Sequence, residues 1–114
     1  MKTVSDLLHE LSGKYHEFEV NYRPQGKKGS DGLIYLFSSY TDDSYDYRID
    51  TDPNSLEVAS YELMDQDRYI EEIQDGKYYG DETIANTFGY DDNVFRFLVI
   101  WISEDAFEHV HAKG

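Results

Sequence analysis

A chain of 114 residues is long enough for one domain with a modest core and too short for a typical pair, so a single domain over residues 1–114 is expected. It contains no cysteine, which excludes disulfides and thiolate metal sites, and its formal charge is −14. The longest apolar run, FLVIWI at residues 97–102, falls far short of the ~20 residues a membrane-spanning helix needs. The opening MKTVSDLLHELSG lacks the apolar stretch of a signal peptide, so a cytoplasmic protein without a membrane anchor is expected.

Val4, Leu7, Leu8 and Leu11 recur at helical spacing and predict a first helix from Thr3 or Ser5 to about Leu11, with Gly13 as its stop. KYHEFEVNY then shifts to period two, with Tyr15, Phe18, Val20 and Tyr22 set against Glu17 and Glu19. The alternation slips by one position at His16, as a bulge or a strand start would make it. RPQGKKGSDG, residues 23–32, has the composition of a loop and holds the one concentrated positive patch of the sequence. Its lysines precede the second glycine and a strand follows, so it does not fit a phosphate-binding Walker loop. LIYLFSSY, residues 33–40, begins apolar on both faces and predicts a central strand.

SYDYRID, residues 44–50, is the clearest alternation in the chain: Tyr45, Tyr47 and Ile49 point one way, Asp46, Arg48 and Asp50 the other. TDPNS at 51–55 reads as a turn, and LEVASYEL at 56–63 fits either a strand or the start of a helix. A helix from Asp65 to Gln74 is predicted next, capped by Asp65 and stopped by Gly76. Leu63, Ile70 and Ile73 fall on one of its sides and Arg68, Glu71, Glu72 and Asp75 on the other. Residues 77–93 are turn-rich, with one helical turn near Glu82 to Asn86. VFRFLVIWIS at 94–103 is the most apolar strand and is expected to be central, and EDAFEHVHAKG closes the chain as a short helix or a frayed tail. The resulting expectation is an α+β fold: a mostly antiparallel sheet of about four to five strands with two or three short helices.

The D-x-D-x-N run of Asp50, Asp52 and Asn54 matches the first, third and fifth positions of an EF-hand loop. Ser55, Glu57 and Tyr61 then stand where glycine, an apolar residue and the bidentate glutamate are needed, so a turn is the better reading. His109 and His111 would share a strand face, yet the sequence positions no third ligand beside them. No metal or other cofactor is expected. No Ser-His-Asp or Cys-His pattern is present, and no carboxylate pair stands out from the abundance of acids. No catalytic residue is nominated, and a protein that is not an enzyme is expected.

The charge is unevenly placed. Residues 42–92 hold sixteen acids against three bases, a net of −13, while residues 1–41 are balanced. Acidic chains poor in aromatics tend to stay disordered, but this one has eleven Tyr, six Phe and one Trp, which argues for a folded domain with a strongly negative surface. Tyr40, Tyr45, Tyr47, Tyr61, Tyr69, Tyr78, Tyr79 and Tyr90 lie in or beside the acidic segment, and tyrosines exposed next to carboxylates suit an interface. A partner-binding surface is therefore expected from Asp42, Asp43, Asp46, Asp50, Asp52, Glu71, Glu72 and Asp75.

In size, charge and Asp/Glu/Tyr content across the whole chain, the protein resembles phage-encoded inhibitors that mimic DNA, among them anti-CRISPR and anti-restriction proteins and inhibitors of uracil-DNA glycosylase. The VSDLLHEL helix followed by a small sheet and acidic helices is similar in plan to some inhibitors of Cas9. The resemblance implies a non-catalytic inhibitor, in the first instance an anti-CRISPR, whose acidic surface occupies the basic nucleic-acid channel of a Cas nuclease or similar enzyme without itself binding nucleic acid. No diagnostic motif accompanies it, so no functional residue carries over. Immunity proteins that neutralise nuclease toxins share the composition and are the alternative, as is a small metal-binding domain or enzyme on the same sheet.

Overall fold

The apolar run RFLVIWI forms β5 (Arg96–Ile102), and a strand apolar at consecutive positions must be covered on both faces. The computed structural model, which describes residues 2–24, 33–39, 47–69, 71 and 96–112, places it at the centre as expected. β1 (Glu17–Tyr22) lies on one side of it and β4 (Val58–Asp65) on the other, and β2 (Ile34–Ser38) lies beyond β1, giving the order β2-β1-β5-β4. β1 runs parallel to β5, and the other two pairings are antiparallel, so the sheet is mixed. Along β5 the side chains divide by parity. Leu98, Ile100 and Ile102 enter one core; Phe97, Val99 and Trp101 enter a second, smaller one on the opposite face.

The first core is capped by α1 (Val4–Glu10), whose Val4 and Leu7 are buried, together with Leu11 just past its end. Thr3 starts the helix with a reciprocal cap: its Oγ1 accepts from the Asp6 N–H at 3.2 Å, and the Asp6 carboxylate accepts from the Thr3 N–H at 3.1 Å. Gly13 follows the helix at φ +84°, the left-handed conformation that glycine adopts without strain. Two backbone hydrogen bonds of 2.9 Å tie this end of the chain to the segment entering β4, from the Val4 N–H to the Leu56 carbonyl and from the Val58 N–H to the Lys2 carbonyl.

A separate two-stranded antiparallel sheet pairs β3 (Tyr47–Ile49) with β6 (Val110–Ala112). Tyr47 and Ile49 pack against the first core while Arg48 is exposed, which is the alternation expected for this stretch. A short helix, α3 (Glu104–Phe107), leads into β6. Ser103 caps it by accepting from the Ala106 N–H at 3.1 Å, and the Phe107 ring stacks on Tyr22 with centroids 4.0 Å apart. The closing segment, expected as a helix or a frayed tail, is therefore helix followed by strand. β3 supplies its hydrogen-bonding partner, and burial of Val110 anchors it.

Four further expectations are settled. Residues 56–63 lead into a strand, and Leu63, assigned above to a helix face, lies in β4 opposite Leu98. The helix after it, α2 (Gln66–Tyr69), begins where expected, with the Asp65 carboxylate accepting from the Arg68 N–H at 2.8 Å. Its predicted continuation to Gln74 runs into residues outside the described ones, as do the turn-rich stretch and most of the basic loop. β2, expected to be central, is an edge of the described sheet. Leu33 packs into the second core and Ile34 against the first, so two-sided burial at its start comes from the layers above and below and not from strands on both sides. β1 begins directly after the slip at His16, which accepts the Arg96 N–H on Nδ1 at 3.0 Å, and the bulge falls further on, between Val20 and Asn21 against β2. Among the described residues no helix is long and apolar enough to cross a membrane.

Candidate functional site

The acidic residues proposed from sequence divide into those whose positions are described and those that are not. Asp42, Asp43, Asp46, Glu72 and Asp75 lie outside the described residues. Asp50 follows β3, and its carboxylate is already engaged: His111 Nε2 lies 2.5 Å from it and Arg48 Nε 3.9 Å. Asp52 turns inward on its own backbone and caps a 3-10 turn (Pro53–Ser55) by accepting from the Asn54 N–H at 3.0 Å. Glu71 is exposed just after α2. The D-x-D-x-N run thus uses one aspartate in a cross-strand contact with His111 and the next as a cap. Among the described residues no three His, Asp or Glu side chains gather as a metal site requires.

The tyrosines correct the sequence reading. Tyr69 is buried to 1% exposure and so is closed to a partner, while Tyr47 is partly buried and packs on the first core. Tyr61 on β4 is the exposed large apolar side chain among the described residues, with Lys2 Nζ 5.8 Å from its ring centroid.

The unexpected feature is a polar cluster in the second core. Glu19, set above against the apolar residues of β1, and Asn21 beyond it are 1% and 0% exposed. Their face of the sheet is shared with Val99 and Trp101, their register partners on β5, so whatever covers that apolar pair also covers them. Burying a polar side chain is costly unless it is hydrogen-bonded. Glu19 accepts from the Tyr69 hydroxyl at 2.6 Å and from Asn21 Nδ2 at 3.2 Å. The Tyr69 ring is itself fixed by stacking on Phe97, with centroids 3.8 Å apart and an interplanar angle of 13°. Immediately past β1, the Arg23 guanidinium carbon sits 4.4 Å from the centroid of the Trp101 ring.

Sequence reasoning missed this cluster because it judged β1 by its own alternation. The signal that could have found it is in β5: a strand apolar on both faces forces its neighbour to be covered on both faces, and a glutamate there must find a donor.

No family model matches the chain, and no curated protein or solved structure matches it.

Proposed function

We infer that the protein is a non-catalytic inhibitor that presents an acidic surface to the basic nucleic-acid-binding channel of a partner enzyme and occupies it as a DNA mimic. It would act in the cytoplasm, with a Cas nuclease as the first partner to test. The observation that carries this reading is the confinement of a net charge of −13 to residues 42–92 of a chain that nonetheless folds around two apolar cores. Self-repulsion of that size opposes compaction, whereas a partner lined with Lys and Arg turns it into attraction and speeds encounter. Asp42, Asp43, Asp46, Glu71, Glu72 and Asp75 form the contact surface. Asp50 and Asp52, which also serve the chain internally, complete the set.

The test is competition on a guide-loaded Cas9-type nuclease, with a nuclease toxin as the parallel target. The inhibitor should displace target DNA, its affinity should fall steeply with salt, and reversal of Asp42, Asp43, Glu71 and Glu72 to Lys should abolish binding without unfolding the chain. Displacement of DNA from the toxin alone would move the reading to an immunity protein. Unchanged inhibition by the reversed variant would remove the acidic surface from the mechanism.

A further inference from the structure

At the end of the second core stand buried donors with no acceptor among the described residues. Arg23 Nε and Nη2 are both buried, and among the described residues neither has an acceptor. These two nitrogens belong to one edge of the planar guanidinium, where their N–H groups run side by side at the spacing of two oxygens of a carboxylate or phosphate. Trp101 Nε1, in the indole that Arg23 covers, is also buried without an acceptor among the described residues. Asn21 Oδ1 is buried without a donor among the described residues, two residues before Arg23 and opposite Trp101 in the strand register.

A buried charged donor left unpaired loses its hydration with no return, so such a group in a folded protein calls for an occupant. The described acids do not supply one. Glu19 is taken by Tyr69 and Asn21, Glu62 by Arg68, Glu10 by Lys2 and Asp50 by His111 and Arg48. Packing on the Trp101 ring, whose centroid lies 4.4 Å from the guanidinium carbon, fixes the group in place, as in stacked arginines of oxyanion sites. Arg23 as a whole is only partly buried, at the point where the chain leaves the sheet.

We propose that the Arg23 edge over Trp101 is a binding site for a small oxyanion, a phosphate or a carboxylate. Nε and Nη2 of Arg23 take two of its oxygens, and the indole N–H offers a further donor alongside. Asn21 Oδ1 discriminates between the two chemistries. It requires a donor, which a protonated phosphate oxygen carries and a carboxylate lacks, so phosphate is the better occupant. The site is independent of the acidic surface and stands whether or not that surface mimics DNA.

Trp101 is the single tryptophan of the chain, so its fluorescence reads the site directly. Inorganic phosphate and acetate are titrated separately into the full chain at constant ionic strength, with chloride as reference, for the native protein and for Arg23→Lys. Phosphate should give a saturable change, acetate a weaker one, and Arg23→Lys, which keeps the charge but loses the paired edge, should need at least about tenfold more phosphate. Saturation by acetate and not phosphate would keep the site and assign it to carboxylates. A response no different from chloride would overturn the proposal, as would equal half-saturation in Arg23→Lys. Thermal melting in phosphate against chloride at constant ionic strength gives a second readout: because phosphate stabilises folded chains in general, a rise in the native chain larger than in Arg23→Lys supports the site, and equal rises refute it.

Discussion

Tyr69→Phe tests whether the buried hydrogen bond to Glu19 holds α2 onto the sheet. The substitution keeps the ring and its stacking on Phe97 and removes the hydroxyl that donates to Glu19 Oε2 over 2.6 Å. Hydrogen bonds to a charged group contribute about 1.5–3 kcal/mol, and the upper part of that range applies where the partner stays buried. Glu19 is 1% exposed, so water cannot simply replace the lost donor. For a chain of 114 residues, at an unfolding entropy of roughly 2.1 cal/mol/K per residue, this corresponds to a fall of about 6–12 °C in melting temperature. Urea unfolding followed by Trp101 fluorescence and far-ultraviolet circular dichroism gives the free energy, and a cycle with Glu19→Gln isolates the pair. The single losses should not add. If Tyr69→Phe costs less than about 0.5 kcal/mol, or the two changes add within that margin, the bond does not carry the attachment of α2.

Ile100→Ala removes a side chain with 0% exposure at the centre of the first core and should cost about 2–5 kcal/mol, read as a lower urea midpoint at unchanged slope. Thr3→Ala should lose about 1 kcal/mol through the broken cap of α1. The Thr3 backbone N–H, and after it the Thr3 side chain, hold the Asp6 carboxyl below its ordinary value of 3.8, so what these bonds contribute is present above about that pH and is lost as pH falls through the lower folded value; Thr3→Ala keeps the backbone donor and the cap it removes does not titrate, so the gap between native and variant stability should narrow in strong acid without closing. Melting temperature should rise on adding ~0.5 M NaCl, because sixteen carboxylates in residues 42–92 repel one another; a flat response would mean the charges are already well separated in space.

Local patterns determined a good part of this protein. The α1 stripe of Val4, Leu7, Leu8 and Leu11, the capping role of Asp65, the alternation of Tyr47 and Ile49 around Arg48 and the central position of β5 follow from spacing along a few residues, and spacing is a local property. The charge of the middle segment is likewise a matter of composition. Tertiary structure alone decided that β1 runs parallel to β5, that β2 lies at an edge of the described sheet, and that the C-terminal segment finds β3, since strand neighbours are chosen by contacts between residues far apart in the chain. It also decided that Glu19 is a core residue held by Tyr69, fifty positions away, and that Arg23 lies over Trp101. A glutamate in an alternating strand reads as solvent-facing until the layer that covers its face is known. Burial belongs to the packed layers, and a strand's own sequence carries the pattern of only one of them.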